Sequence, residues 1–432
     1  MKRILHHLHS NLLLKIASFN SVAVLLRVLA GFVTSKAIAV FIGAEGLALI
    51  GNLRNFLTTT ESFSTLGFSN GIVKYVAELK EDHSKLTEAV ITILIAVLIA
   101  TLIISTLLFV YADGLSLFIF GASQPFGFII ELLAFALPFS SLNIVLVAII
   151  NGLSKYKTVV KINILSQVIG VSTTLFLIWT SQLEGALMAA VLLPGFLFFV
   201  TLFSFFQIKE LLKGLTLSHL NFRFLKNLSA YSLMALFSAA VMPLVVVCVR
   251  NYLIDQVSLQ DAGYWEAIRR ISNYYVMFVS SLLALYILPR FAEITNAFEF
   301  RKEILHFYKT VLPVFALALI GIYIFRSLIV QLIFTEEFLP VTHLFKWQLL
   351  GDFLKVISSV IAYQLIAKKM VYQYIGIELF SMLNLFVSSM YLIDWFGVEG
   401  AVMAHFVNFA LHALVILTVF RKELFSRENF KL

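Results

Sequence analysis

The sequence predicts an all-α polytopic membrane protein with twelve transmembrane helices, arranged as two parallel-repeat lobes of six helices each. Hydrophobic residues fill 60% of the 432 positions and charged residues 13%, whereas soluble domains carry about 25% charged residues. Mean hydropathy is +0.96. Apolar runs of about 20 residues, the length of a helix that crosses a bilayer, recur along the whole chain with short polar connections. The predicted bundle therefore accounts for the entire sequence.

Each apolar run is assigned to one span by its length and hydropathy. The twelve spans lie near residues 17–42, 46–73, 87–111, 128–150, 158–180, 185–207, 228–249, 262–288, 308–325, 341–367, 371–393 and 399–420. They define a cytoplasmic, interfacial N-terminus at 1–16, an N-lobe at 17–207, a cytoplasmic linker at 208–227, a C-lobe at 228–420 and a cytoplasmic tail at 421–432.

Basic residues predict the orientation of the bundle. With both termini in the cytoplasm, twenty-three of the 32 Lys and Arg residues fall on that side, and the opposite side holds only Arg250 and Arg326. This asymmetry is the positive-inside pattern. The formal charge of +8 thus reports topology and contact with anionic lipid, and it gives no support to a nucleic-acid partner.

An internal repeat relates the two halves. Residues 183–189 read Leu-Glu-Gly-Ala-Leu-Met-Ala and residues 398–404 read Val-Glu-Gly-Ala-Val-Met-Ala, an offset of 215. An acidic residue followed by glycine is also common capping chemistry at a helix start. However, Gly46 and Gly263 repeat at an offset of 217. Two halves with six spans each share one orientation, which predicts a pseudo-twofold axis along the membrane normal and a cavity between the lobes.

Seven cations lie within the predicted spans, where a charge costs several kcal/mol. We expect them to line a hydrated interior that handles a negative group, with Lys36 and Lys346 also able to extend towards the membrane surface. Arginine suits phosphate because its planar fork of donors stays protonated. The seven are Arg27, Lys36, Arg54, Arg269, Arg270, Lys346 and Lys355.

Polar residues form stripes on single helix faces. Arg54 and Glu61 share one face of span two, and Asp352 and Lys355 share one face of span ten, where their i, i+3 spacing allows an ion pair. In span eight, Glu266 shares a face with Arg270, and Arg269 is turned by about 100°. The neighbouring arginines are therefore not expected to point at one ligand. Glu61, Asp352 and Glu266 are candidate coupling or ion-pair carboxylates.

The sequence offers little evidence of a metal site or a disulfide. The single cysteine, Cys248, cannot form an internal disulfide and is interpreted as a packing residue. His405 and His412 lie seven residues apart on one face but lack a third ligand, so polar contact or packing is the better interpretation. We expect no cofactor and no bound metal.

The chain resembles the Wzx-type flippases of the MurJ/MATE-like (MOP) superfamily over essentially its full length. The resemblance is carried by Phe41-Ile-Gly-Ala-Glu-Gly-Leu, Asn52-Leu-Arg54, Asn70-Gly-Ile-Val-Lys74-Tyr-Val-Ala, Gly263-Tyr-Trp-Glu-Ala-Ile and Trp347-Gln-Leu-Leu-Gly-Asp352-Phe-Leu-Lys355-Val. These segments look most like the branch that contains O-antigen and enterobacterial-common-antigen translocases. Each motif is short, and only their joint order is specific.

The resemblance implies a non-enzymatic flippase in the bacterial inner membrane. It implies an undecaprenyl-pyrophosphate-linked oligosaccharide as substrate, membrane lipid as surroundings, and a polysaccharide polymerase and chain-length regulator as partners. Arg27, Lys36, Arg54, Asp352 and Lys355 stand where related flippases carry cavity charges, whereas Arg269 and Arg270 depart from that pattern. We expect Arg27, Arg54 and Arg270 to hold the pyrophosphate or acidic sugars during alternating access.

Two other classes and the driving force stay open at this point. A MATE-type drug or cation antiporter shares the fold but needs a carboxylate-rich pocket, and here cations outnumber acids within the spans. A membrane glycosyltransferase or polymerase needs acidic catalytic residues on large external loops, and the predicted external loops are short. Transport is expected to draw on a proton or sodium gradient or on the membrane potential, and the sequence does not distinguish these.

Overall fold

The computed structural model describes residues 12–121, 126–207 and 223–425 of the chain, and within these ranges it is built from helices. The predicted linker at 208–227 lies largely outside the described residues, and the predicted N-terminal segment at 1–16 and tail at 421–432 lie partly outside them. The all-α class that the sequence predicts is confirmed.

Seven helices precede the second gap in the described ranges. They are α1 (Leu12–Phe41), α2 (Gly43–Ser64), α3 (Ser69–Leu79), α4 (His83–Val110), α5 (Ala112–Phe120), α6 (Gly127–Gly152) and α7 (Tyr156–Phe206). The sequence predicted one continuous span over 46–73, and that prediction is wrong. Leu66 and Gly67 both have positive φ angles, and these two residues lie between the end of α2 and the start of α3.

Nine helices follow. They are α8 (Arg223–Gln256), α9 (Leu259–Leu282), α10 (Leu288–Glu293), α11 (Ala297–Ile324), α12 (Arg326–Ile333), α13 (Phe345–Ala367), α14 (Val371–Phe396), α15 (Val398–Val419) and α16 (Arg421–Phe425). A π-helical turn, Leu283–Ile287, joins α9 to α10, and a 3₁₀ helix, Glu336–His343, precedes α13. The side chains of Ser258 and Asn296 accept hydrogen bonds from the first turns of α9 and α11 and so cap these helices.

Nine helices within the described residues are long and apolar enough to cross a membrane. One of them, α7, covers two predicted spans, because non-helical backbone at Ser181 and Gln182 divides its 51 residues at the predicted boundary. The chain is therefore a multi-pass membrane protein. The count of twelve spans stays a prediction, since α1 and α2 are not among the nine.

The chain divides into two compact units. The first unit comprises the described residues up to Phe41 and from Phe56 to Ala240, and the second comprises Ile42–Asn55 and the described residues from Val241 onwards. The predicted lobe boundaries stay predictions. The segment Ile42–Asn55, which the sequence prediction places in the N-lobe, clusters with the second unit.

Each unit has its own apolar core. In the first unit, α6 packs on α7 and α4, and Ile72, Val90, Val97, Val145 and Ile149 are fully buried in one cluster. In the second unit, α15 packs on both α14 and α13. These helix pairs fix the position of the polar residues that the second unit buries.

The internal repeat predicts the same turn in both units, and the turns have the same backbone geometry. Gln182 has φ 44° and ψ −119°, and Gly397, at an offset of 215, has φ 57° and ψ −136°. Three residues later, Gly185 lies against the backbone carbonyl of Leu177 and Gly400 lies against that of Leu392. A Cβ atom at either glycine would collide with that carbonyl, so the repeat reflects a shared helix–turn–helix packing.

Candidate functional site

The second unit buries a carboxylate that several arginines share. Glu266, on α9, lies 2.5 Å from Nη2 of Arg250 and 3.0 Å from Nε of Arg270. Nη1 of Arg269 is 4.0 Å from the same carboxylate. Three guanidinium groups and one carboxylate leave an excess of two positive charges. We call these four residues the arginine cluster.

Arg250 is fully buried, with no exposed surface. Its Nη1 donates a hydrogen bond of 2.7 Å to Oδ1 of Asn52, and Nδ2 of Asn52 donates one of 2.8 Å to Asn251. The hydropathy pattern places Arg250 just beyond the end of the seventh span, at 249, whereas α8 continues through Arg250 to Gln256.

The start of α2 approaches the arginine cluster closely. A Cβ atom on Gly51 would lie 2.7 Å from the Glu266 carboxyl carbon, so a larger residue at this position would displace that side chain. Arg54, one turn further along α2, is exposed. Arg270, Glu266 and Tyr274 are its electrostatic neighbours. Two of the three arginines expected to hold the negative group, Arg54 and Arg270, are thus neighbours within the second unit.

The indole of Trp265 lies next to two of the guanidinium groups. Its ring centroid is 5.4 Å from the guanidinium carbon of Arg250 and 5.0 Å from that of Arg269, which are cation–π distances. Three buried donors, Nε of Arg250, Nη2 of Arg270 and Nε1 of Trp265, have no hydrogen-bond partner among the described residues. The cluster therefore retains donor capacity that its own residues do not use.

Arg269 and Arg270 approach the same carboxylate, contrary to the expectation from their spacing. Glu266 precedes them by three and four residues, and both positions flank it on the helix surface. Their environments nevertheless differ. Arg270 is 6% exposed, whereas Arg269 lines a cavity. Arg269 is thus the residue of this pair that is available to a ligand.

That cavity lies inside the second unit and has a volume of about 160 Å³. Among the described residues that line it, Arg269 and Lys355 are cations and none is acidic. The remaining lining residues supply polar groups and an apolar floor: Met242, Val246, Trp265, Ser272, Asn273, Gln348, Leu385, His405 and Phe409. We call this space the cationic cavity, and its chemistry suits an anionic group.

Behind the cavity, the fully buried carboxylate of Asp352 accepts several hydrogen bonds. Oδ2 accepts bonds of 2.7 Å from Ser272 and 2.5 Å from Tyr275. Nε2 of His405 is 2.9 Å from Oδ1, and Nε2 of Gln348 is 3.3 Å from Oδ1 and 3.2 Å from Oδ2. An anionic carboxylate with this many donors is well solvated by the protein. Sequence reasoning did not identify Ser272, Tyr275 or His405 as partners, because they come from α9 and α15.

Lys355 does not form the ion pair with Asp352 that its i, i+3 spacing suggested. The basic side chain within 4 Å of Asp352 is that of His405, and Nζ of Lys355 lies 5.4 Å from the ring centroid of Phe409. Lys355 therefore presents its charge to the cavity. The contact between His405 and Asp352 agrees with the expectation that this histidine makes a polar contact.

Three predicted site residues belong to the first unit. Arg27 is exposed on α1. Lys36, on the same helix, is half-buried and interacts with another residue. Glu61, on α2, is half-buried and hydrogen-bonded to the Ser140 hydroxyl. The roles predicted for these three residues stay predictions.

Buried cationic groups inside a multi-pass helical membrane protein are typical of a transporter for a charged solute. Residues 39–343 match the model of a family described as polysaccharide biosynthesis protein, and the chain belongs to this family. It is 27% identical over 415 residues to proteins named Lipid III flippase from Escherichia coli (strain K12) and Shigella flexneri, over 94% of this chain and 98% of each relative.

Solved structures show the same fold. An inward-facing multidrug resistance MATE family transporter of the MOP superfamily has a TM-score of 0.70 at 14% identity, over 93% of this chain and 94% of that one. The lipid II flippase MurJ, in an inward closed conformation, has a TM-score of 0.67 at 15% identity, over 95% of this chain and 88% of that one. The MATE- and MurJ-like fold expected from the resemblance is confirmed.

Proposed function

We propose that this protein is a flippase, not an enzyme, and that it moves an oligosaccharide linked to a polyprenyl diphosphate across the membrane by alternating access. Relatives named Lipid III flippase match almost the whole chain, and the lipid II flippase MurJ shares its fold. We take undecaprenyl diphosphate as the carrier and an O-antigen-type repeat unit as the cargo, moving from the cytoplasmic to the periplasmic leaflet.

The physical problem that such a protein solves is the cost of moving charge through hydrocarbon. A diphosphate and unsatisfied sugar hydroxyls cannot enter a layer about 30 Å thick without replacing their water, because each unpaired polar group costs several kcal/mol. A cavity lined by cations and amides replaces that water. The carrier chain is apolar and needs no such protection.

The observation that carries the proposal is the surplus of positive charge inside the second unit. The arginine cluster holds three guanidinium groups around one carboxylate, and the adjoining cationic cavity is lined by Arg269 and Lys355. In our proposal these two side chains bind the diphosphate, and Gln348 and Asn273 contact the first sugar. Glu266 holds Arg269 and Arg270 in position, and Arg54 adds positive charge nearby.

We further propose that Asp352 and His405 couple transport to a proton. A proton on His405 adds a positive charge at the wall of the cavity and is balanced by the Asp352 carboxylate 2.9 Å away. A sodium gradient and the membrane potential are the competing sources of energy, the latter worth about 2.3 kcal/mol per charge per 100 mV. If transport depends on pH in the wild type but not in His405→Gln, the result would support coupling to a proton.

The proposal includes a location and partners. We place the protein in the bacterial inner membrane with both termini in the cytoplasm, since the distribution of Lys and Arg supports that orientation. A polysaccharide polymerase and a chain-length regulator would receive the translocated oligosaccharide. Affinity purification from the native host, with quantification of the co-purified polymerase and chain-length regulator, tests the partners separately from transport.

The antiporter alternative is disfavoured by the chemistry of the cavity. Several structural neighbours are MATE family transporters, so the fold alone does not separate the two classes. A cationic drug needs a carboxylate in its pocket as a counter-charge, whereas the described lining residues here include two cations and no acid. Transfer of this chain into a drug-sensitive strain should therefore leave drug tolerance unchanged.

The decisive cellular experiment is deletion of the gene. We expect undecaprenyl-linked oligosaccharide to accumulate on the cytoplasmic side while the surface polysaccharide disappears. Restoration is then compared for the wild type, Arg269→Ala, Arg270→Ala, Arg54→Ala and Lys355→Ala, with exposed Lys302→Ala as the matched control. Absence of accumulation would contradict the function, whereas full restoration by all four cavity and cluster variants would contradict only the site.

A further inference from the structure

Helix α13 has two chemically opposite faces. Gln348, Asp352 and Lys355 project from one side towards the cationic cavity and its buried network. Lys346, Leu349, Leu350 and Phe353 project from the other side, since steps of 100° place the two sets about half a turn apart. The second face is not used by the proposed transport site.

That second face forms one wall of an apolar groove of about 330 Å³. The opposite wall is α11, which contributes Ala316, Leu319, Ile320 and Tyr323 at positions i, i+3, i+4 and i+7. The groove runs along about two helical turns, or roughly 10 Å. Apart from the Tyr323 hydroxyl and the Lys346 ammonium group, every lining side chain is apolar, so the groove suits a hydrocarbon chain.

Positive charge is concentrated at one end of the groove. Lys346 is at the start of α13, and Tyr323 is near the end of α11. The guanidinium carbon of Arg326 lies 4.4 Å from the Tyr323 ring centroid, and its Nη1 donates a hydrogen bond of 2.8 Å to the Tyr323 carbonyl. Nζ of Lys346 lies 5.0 Å from the ring centroid of Trp347. An apolar groove with two cations at one end complements a lipid with an anionic head group.

We propose that this groove is a binding site for an anionic phospholipid, with one acyl chain between α11 and α13 and the phosphate at Lys346 and Arg326. The oligosaccharide carrier is a poorer occupant. Its diphosphate is bound at the cationic cavity in our proposed function, and that cavity lies on the opposite face of α13. The bound phospholipid is therefore a separate ligand, and its site does not depend on what the protein transports.

Native mass spectrometry of the purified full chain tests the site with phosphatidylglycerol and phosphatidylcholine of identical acyl chains. We expect the wild type to retain one phosphatidylglycerol in preference to phosphatidylcholine. Lys346→Gln should weaken phosphatidylglycerol binding about fivefold, the effect of one lysine near an anionic lipid. Binding of phosphatidylcholine should not change.

A second variant tests the chain-binding part of the groove. Ile320→Trp places a large ring in the groove from an exposed position, 55% accessible, and should lower the retention of both lipids. Leu317→Trp, on the same helix at 69% exposure, is the matched control, and Lys302→Gln is the control for charge. Both controls should behave like the wild type.

Three results would overturn the proposal. Lys346→Gln could retain phosphatidylglycerol as well as the wild type, or Lys302→Gln could lose as much as Lys346→Gln, which would reduce the effect to bulk charge. Alternatively, undecaprenyl phosphate could displace phosphatidylglycerol completely at equal concentration, which would assign the groove to the carrier lipid. None of these measurements requires transport, so the proposed function stands or fails independently.

Discussion

The two units share a repeated turn but bury different kinds of polar groups. Among the described residues, the first unit buries hydroxyl groups such as Thr59, Thr92 and Ser140, whereas the buried charges, Arg250, Glu266, Arg270 and Asp352, belong to the second unit. A hydroxyl can satisfy its hydrogen bond within its own helix, as Thr92 does with the Glu88 carbonyl. The buried charges of the second unit also use partners from other helices, as Arg250 does with Glu266 and Asp352 with His405. The shared geometry thus serves as scaffold in both units, while the second carries the specialised charge chemistry.

Removal of the Glu266 carboxylate should be the most damaging change. In Glu266→Gln, the three neighbouring guanidinium groups lose their shared counter-ion, and Arg250 has no access to water. Breaking a buried ion pair on one side costs about 3–5 kcal/mol. We expect a large loss of thermal stability in detergent, measured by the fraction of monodisperse protein after heating.

The first unit supplies the matched comparison for this variant. Glu61→Gln keeps a hydrogen-bonding group beside Ser140 and should cost less than about 1 kcal/mol. Adding Arg270→Gln to Glu266→Gln should recover part of the lost stability, since it removes one uncompensated charge. Equal losses in Glu61→Gln and Glu266→Gln would show that the two units do not differ in this respect.

The Asp352 network should show the next largest effect. Asp352→Leu leaves the donors of Ser272, Tyr275 and Gln348 without their acceptor, and each buried unsatisfied group costs about 1–3 kcal/mol. Asp352→Asn keeps the shape and one acceptor oxygen, and should lose clearly less stability. Similar melting temperatures for the two variants would argue against a network that depends on this acceptor.

The repeated turn allows a comparison of two substitutions that should change stability in opposite directions. Gln182 and Gly397 have nearly the same positive φ angle, which L-residues other than glycine adopt only under strain. Gln182→Gly should therefore stabilise the first unit by about 1 kcal/mol, and Gly397→Gln should destabilise the second by at least as much. Shifts of the melting temperature in the same direction would contradict the shared geometry.

An exposed carboxylate of the first unit should have the smallest effect. The side chain and then the backbone N–H of Lys85 donate hydrogen bonds to Asp82, which hold the pKa of this helix-capping carboxyl below its usual range. Because the folded-state pKa is depressed, the stabilisation is present at neutral pH and is lost as pH falls below about 4. The difference in melting temperature between the wild type and Asp82→Asn should shrink towards zero over that interval. If the difference in melting temperature stays constant as pH falls, protonation of Asp82 is not its cause.

Much of the fold could be predicted from hydropathy, because apolar length alone determines where a chain crosses a bilayer. The heptapeptide repeat also located the equivalent turns at Gln182 and Gly397. Hydropathy could not predict the break at Leu66 and Gly67, since it measures apolar length and carries no information on the positive φ angles that end α2. It also ended the seventh span at 249, seven residues before the end of α8.

The residue types of the candidate site were predictable, but their pairings were not. Intramembrane charge identified Arg54, Arg269, Arg270, Asp352 and Lys355, because charge is costly there whatever the fold. Helical spacing within one span suggested Asp352 with Lys355, and the structure pairs Asp352 with His405 from a helix more than fifty residues away. Periodicity describes one helix at a time, whereas this site is assembled from α2, α8, α9, α13 and α15.

The central claim is that the cationic cavity binds a diphosphate head group, and a direct binding measurement tests it. Isothermal titration of the protein in nanodiscs compares farnesyl diphosphate with uncharged farnesol. We predict that the wild type binds the diphosphate and that the double variant Arg269→Gln/Lys355→Gln binds it at least about tenfold more weakly, since a charge-assisted hydrogen bond contributes about 1.5–3 kcal/mol. Lys302→Gln should match the wild type. Equal affinity of the wild type and the double variant for farnesyl diphosphate, or equal binding of farnesol, would contradict the claim.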